Sequence, residues 1–248
     1  MLRYVPRWTH IFDFLSFLYI IKFMLISIII PAFNEAGSIA EIIREVAKLP
    51  FEKEILMVDD GSQDGTGSTV RRLEKEIKEL RGLYFPENRG KGFAIRAGIR
   101  AARGEVVVIQ DADREYPPVQ IIGLVKELTR DPELAAVFGS RKLKKNPISY
   151  RRYYWGGRFL TAIVNLVGKA RLTDVTTGHK VVRWRIMEGL KLESDGFEIE
   201  IEIIMKLLRR GFQIKEIPID YFPRGFEEGK KIRWTDGLKS LWAVFRTA

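Results

Sequence analysis

The chain of 248 residues is 46% hydrophobic and 30% charged, with a net charge of +10 and no cysteine. It is long enough to bury a large core as one α/β domain, and disulfides and thiolate metal centres are excluded. The positive balance calls for an anionic partner, whether nucleic acid, phosphorylated substrate or acidic membrane surface, and does not choose among them.

Residues 11–30, IFDFLSFLYIIKFMLISIII, resemble at first a membrane span of about 20 residues. Asp13 and Lys22 interrupt the run, and 25–30 serves better as a buried strand. The remaining apolar stretch is too short to cross a bilayer of about 30 Å. Residues 1–23 are therefore expected outside the fold, as an amphipathic lead-in, an interfacial anchor or a stretch translated ahead of a start at Met24. They lack the small-residue cleavage site of a secretory signal. Residues 24–248 are expected to form a single domain.

From there, short apolar runs alternate with helical segments, with strands expected at 25–30, 54–58, 82–85, 105–109 and 135–138. This is the pattern of a mostly parallel, Rossmann-like α/β sheet with helices on both faces. Ser38 and Glu41 read as a capping box opening the first helix. Further helices are expected after DGT near Gly65, from Gly92 to Ala102, and from Pro117 or Pro118, where proline suits a first turn. Beyond Arg141 the stretch KLKKNPISYRRYYWGGR is basic and aromatic and reads as a loop entering a helix. The terminal WTDGLKSLWAVF has an apolar face of Trp234, Leu238, Leu241, Trp242 and Phe245, which suits either a membrane-surface helix or a core-facing one.

Ligands of open parallel sheets bind at the carboxyl ends of the strands. PAFNE, DDGSQDGT and DADREY fall at such ends. Each alone is explained by turns and helix caps; three converging on one edge point to a site. Asp111 and Asp113, separated by Ala112, can turn toward one point. Mg²⁺ or Mn²⁺ takes one or two such carboxylates, with water and phosphate completing its shell. Glu115 is a candidate third ligand or supporting partner. The alternative is an exposed acidic turn.

PAFNE, VDDGSQDGT, NRGKGFAIRAG, QDADREYPP, GSR, TDVTTGHK and the closing RGFEEGKK with WTDGLKSLW, taken in this order, resemble the family 2 glycosyltransferases of the GT-A fold. The resemblance is strongest to the branch of dolichol-phosphate mannosyltransferases and polyprenyl-phosphate glycosyltransferases, and it covers residue 25 to the C-terminus. It implies a nucleotide-sugar site made of Pro31, Ala32, Phe33, Asn34 and Glu35 (base and ribose), Asp59 and Asp60, Lys91, and Asp111, Ala112 and Asp113. Arg224, Lys230 and Lys231 would close over the donor diphosphate. Asp111 and Asp113, with Glu115, would hold the metal, and Arg141 with Arg151 or Arg152 would grip the lipid phosphate, as guanidinium forks suit phosphate oxygens. Glu115 stands where many members have Gln, and Trp155 where a Ser often follows the second acceptor arginine.

The donor expected from the resemblance is GDP-mannose, then UDP-glucose, and the acceptor is a dolichyl or polyprenyl phosphate met peripherally at the cytoplasmic face of a membrane. Such a phosphate is already ionised, so its oxygen can attack the anomeric carbon without a general base, and catalysis is positioning and electrostatics. Single displacement inverts the sugar, and Asp113 and Arg224 are the expected catalytic groups. Asp174 is a candidate sugar contact or a turn residue; Glu198, Glu200 and Glu202 alternate on a helix so that one or two can face the site, with Glu198 the candidate. His179 reads as structural, and His10 lies outside the fold. A soluble glycan acceptor is a second reading. A nucleic-acid-binding module is a third, disfavoured because carboxylates at the edge would repel a phosphate backbone.

Overall fold

Seven consecutive buried residues, Ile26–Ala32, form β1, as expected of a central strand covered on both faces. The computed structural model describes residues 21, 24–148, 150–225 and 234–247. Around β1 the strands β2 (Lys53–Asp60), β3 (Leu80–Phe85), β4 (Val106–Ile109), β5 (Leu134–Ser140), β6 (Lys180–Arg183) and β7 (Gln213–Pro218) pair in the order β3-β2-β1-β4-β6-β5-β7. Every pairing is parallel except those of β6, which runs against both β4 and β5. The expected mostly parallel α/β sheet is therefore observed, with two strands, β6 and β7, that the apolar pattern does not reveal. β6 has only four residues and begins with a lysine, and β7 is a half-exposed edge.

The described helices are α1 (Ile39–Ala47), α2 (Thr66–Leu73), α3 (Lys91–Ala101), α4 (Ile121–Arg130), α5 (Arg151–Gly168), α6 (Trp184–Gly189), α7 (Ile199–Arg209) and α8 (Trp234–Arg246). A single 3₁₀ turn, Pro118–Gln120, leads into α4. The side chains of β1 alternate between two cores. Ile28 and Ile30 join one with Ile42, Val70 and Leu124; Ile29 joins the other with Ile95, Leu160 and Ile203.

Three local expectations change. Ser38 makes no capping bond; its Oγ donates to Glu35, and Glu41 pairs instead with Arg114 at 2.6 Å, so the capping box does not form. Ile21, expected outside the fold, is buried in the first core. α8 satisfies both readings at once: Ala243 and Val244 are buried, while Trp234, Leu238, Trp242 and Phe245 are each more than half exposed. No described helix is long and apolar enough to cross a membrane.

Candidate active site

β1 and β2 end side by side, Ala32 opposite Asp59. Pro31 and Ala32 are thus the last residues of a strand, and the loop proper begins at Phe33. Asn34 takes a left-handed backbone (φ 49°), a conformation asparagine tolerates better than most residues. Its N–H donates to Ser62 Oγ and its Oδ1 accepts from Gln63 N, both at 2.9 Å. Glu35 N and Ala36 N donate to Thr66 and Asp64. PAFNE and DDGSQDGT are one knitted surface.

Asp59 and Asp60 are buried and accept hydrogen bonds from the backbone. Asp59 Oδ1 accepts from Ser62 N at 2.9 Å. Asp60 accepts from the backbone N–H groups of Arg89 (3.0 Å) and Gly90 (2.6 Å). Asp60 thereby orders the loop that delivers Lys91, and Asp59 the turn at Ser62. Gly90, at φ 106°, lies so close to the Asp195 carbonyl that a Cβ would overlap it, which explains the glycine in NRGKG.

β4 ends at Ile109, and the next carboxylates meet cations from distant parts of the chain. Lys91 Nζ lies 2.6 Å from Asp111 Oδ1 and 2.8 Å from Glu200 Oε1. Arg224 Nη2 lies 2.8 Å from Asp113 Oδ2, and the same guanidinium reaches both Glu35 oxygens at 3.1 Å. Burial, then the charge of Asp111, pushes the Asp113 carboxyl up to about 7 against the pull of Arg224. Ala112 between them is buried. Glu115 is directed elsewhere: its Oε1 accepts from Arg224 N at 3.0 Å. Among the described residues no three acidic, His or Cys side chains cluster as a metal set. The three-carboxylate expectation therefore reduces to Asp111 and Asp113. That pair still fits Mg²⁺ or Mn²⁺: two carboxylates that repel each other, each already drawing a cation, supply what such an ion takes from protein.

β6 is antiparallel, so its beginning lies at this edge. Gly178 backs onto Asp111, whose carboxylate fills the space a Cβ would need. His179 is fully buried, and its Nε2 donates to Gln110 Oε1 at 2.6 Å. Burial lowers its pKa to about 4, so the ring is neutral and structural, as expected. Between pH 6.5 and about 4 the unfolded chain binds a proton that the native ring refuses. Stability is therefore expected to fall across that window as pH is lowered, by roughly 3 kcal/mol from this group. Urea unfolding at pH 7 and pH 4.5 checks it: His179→Gln should lose that share of the acid sensitivity.

Two residues expected at the ligands pair with each other. Arg141 forms a fork on Asp174, Nε to Oδ2 at 2.6 Å and Nη2 to Oδ1 at 2.7 Å, and also donates to Thr176. Burial alone would raise the Asp174 carboxyl, but Arg141 holds it below its ordinary value. Asp174 and Arg141 thus neutralise each other in this structure. Glu198 sits at the N-cap of α7 and accepts from Gly196 N at 3.2 Å. Arg151 and Arg152 are exposed at the start of α5. Lys230 and Lys231, like His10, lie outside the described residues. Of the three alternating glutamates it is Glu200 that reaches the cluster, together with Lys180, which sequence reasoning misses. The signal is two glutamates, Glu200 and Glu202, inside an otherwise apolar buried helix.

Residues 27–190 match the family described as Glycosyl transferase family 2. The chain is 31% identical over 241 residues to an undecaprenyl-phosphate mannosyltransferase of Micrococcus luteus, covering 88% of this chain and 96% of that protein. It is 28% identical to a dolichol-phosphate mannosyltransferase of Pyrococcus furiosus, covering 84% of this chain and 59% of that protein. In structure it is similar to glucosyl-3-phosphoglycerate synthase of Mycobacterium tuberculosis bound to Mn²⁺, UDP and product (TM-score 0.75, 19% identity, 99% of this chain and 86% of that one), a likeness of fold.

Proposed function

The chain belongs to glycosyl transferase family 2, and from that premise we propose that it moves a hexose, mannose foremost, from a nucleotide sugar to a polyprenyl phosphate at a membrane surface, with inversion. The observation that carries the reading is the meeting of Asp111, Asp113, Lys91 and Arg224 at one sheet edge. A divalent cation held by Asp111 and Asp113 would neutralise the departing diphosphate. Arg224 is placed to turn from Asp113 to a phosphate oxygen without moving its backbone, since its N–H stays on Glu115. The PAFNE loop, tied to 62–66, offers a fixed surface for base and ribose. The acceptor oxygen is already anionic, and among the described residues the one imidazole, His179, is neutral and buried, in keeping with displacement by a phosphate rather than by a hydroxyl.

The lipid half of the reading is supported by α5 and α8. On α5, Trp155, Phe159 and Leu166 are 59%, 61% and 77% exposed; on α8, Trp234, Leu238, Trp242 and Phe245 are 75%, 57%, 67% and 54% exposed. Each set follows helical spacing, so each is an apolar stripe. Arg151, Arg152 and Arg158 stand among the aromatics of α5, a mixture suited to anionic headgroups and to the acceptor phosphate. Arg141, paired with Asp174, would grip the acceptor phosphate together with the exposed Arg151 or Arg152.

The test is a panel of radiolabelled GDP-mannose, UDP-glucose and other nucleotide sugars, each with dolichyl phosphate and Mg²⁺ or Mn²⁺. Label is expected in the organic phase, most from GDP-mannose. Label entering only added glycans or proteins would end the lipid reading.

A further inference from the structure

Four charged side chains form a closed, neutral set beside the donor site. Lys91 Nζ bridges Asp111 Oδ1 (2.6 Å) and Glu200 Oε1 (2.8 Å). The other Glu200 oxygen is held by Lys180, which also donates to the Thr177 carbonyl. Two carboxylates and two ammoniums balance. Lys180 is fully buried and Glu200 6% exposed, while Asp111 and Lys91 form the margin facing the edge. A buried lysine costs several kcal/mol of lost hydration unless it is paired. Lys180 contacts no expected ligand position, so fixing Glu200 is what it does.

The arrangement bears on how a cation arrives. Asp111 Oδ1 already has a cation at bonding distance, and its carboxylate packs against the bare Cα of Gly178. An ion seeking Asp111 meets an occupied oxygen. Lys91 has a second seat ready, because Glu200 is held by Lys180 whether or not Lys91 leaves Asp111. We propose that Lys91 is a resident counter-cation which a divalent ion must dislodge from Asp111, and that Glu200, braced by Lys180, retains the ammonium during the exchange. Lys91 and Glu200 are positioning residues here, and the inference rests on the donor-site reading above. The exchange keeps the site near neutrality before the donor arrives and withholds bare metal from it. It then leaves a positive group beside the place where the diphosphate gathers charge.

Burial works against charge on Lys91, but Asp111 and Glu200 together raise its pKa. Burial would raise Glu200, and Lys180 with Lys91 instead brings it to about 2.

The test measures binding of MnCl₂ alone, by the loss of the free-ion electron paramagnetic resonance signal, to wild type and two variants. Lys91→Met removes the competitor and is expected to bind Mn²⁺ about tenfold more tightly than wild type. Lys180→Met/Glu200→Gln deletes one buried charge of each sign, leaves Asp111 as the partner of Lys91, and is expected to bind about tenfold more weakly. A merely structural role would weaken binding in both or in neither. Lys91→Gln, which keeps an N–H donor without the charge, serves in place of the Met variant should that one fail to fold. Equal or weaker Mn²⁺ binding on loss of the Lys91 charge, or tighter binding in the double variant, overturns the proposal. A further arm adds GDP or UDP to wild type. Failure of both nucleotides to tighten Mn²⁺ would sink the donor-site reading, and leaves the ranking with metal alone to judge the exchange.

Discussion

Asp113→Asn is expected to abolish transfer while leaving the fold intact or more stable. In the native protein this carboxyl is buried beside Asp111, and both effects oppose its charge, with the result that its pKa rises to about 7. An amide of the same shape removes that conflict. Arg224 keeps both Glu35 oxygens and its backbone bond to Glu115, so no buried cation is stranded. Function takes the opposite sign, because the amide cannot share a divalent ion with Asp111 or answer the diphosphate. A fall in kcat/KM of about a thousandfold or more is expected, from the several kcal/mol a metal supplies in such a step. Thermal unfolding gives an independent view. With nucleoside diphosphate and Mn²⁺ at about a hundred times Kd, wild type should gain about 2.7 kcal/mol, and the variant nothing. A variant retaining transfer within tenfold of wild type would show that this carboxylate is not part of the donor site.

Asp174→Ala is expected to be lost to unfolding rather than to chemistry. Its carboxylate receives two guanidinium bonds and one backbone bond from Arg141 and is 2% exposed. Removing it leaves Arg141 with Thr176 alone in a buried setting. Breaking a buried pair from one side costs about 3–5 kcal/mol, a large part of a domain's total stability. Denaturant melts should show that loss, and protein that stays folded at low temperature should keep its KM for the donor. A variant of wild-type stability with a raised donor KM would restore Asp174 to the sugar contact that the sequence suggests.

These two aspartates show where sequence reading reaches its limit. Asp113 is legible because its neighbours carry the message: an apolar strand ends, and two carboxylates follow at a spacing that lets both face one point. Asp174 looks equally promising in TDVTTG, but what decides its role is Arg141, 33 positions earlier, and only the folded sheet brings them together. The same holds for Lys180. A lysine heading KVVR reads as a loop residue, and its partner, Glu200, lies on a helix 20 residues later. β1, β2, β4 and β5 are legible as uninterrupted apolar runs because they are covered on both faces. β7 is hidden because an edge strand with a half-exposed pattern resembles any polar segment. The capping box fails because Ser38 has a nearer acceptor in Glu35, which motif spacing does not disclose.

The ion pairs around the carboxylates also fix when, in the life of a chain, the site can exist. Arg224 and Glu35 are 189 positions apart, and Lys91 and Glu200 more than a hundred. Until Arg224 has been synthesised, Glu35 and Asp113 stand at the sheet edge without that guanidinium. Contacts of such long range close slowly, so the carboxylates are balanced late, after the strands that carry them have formed.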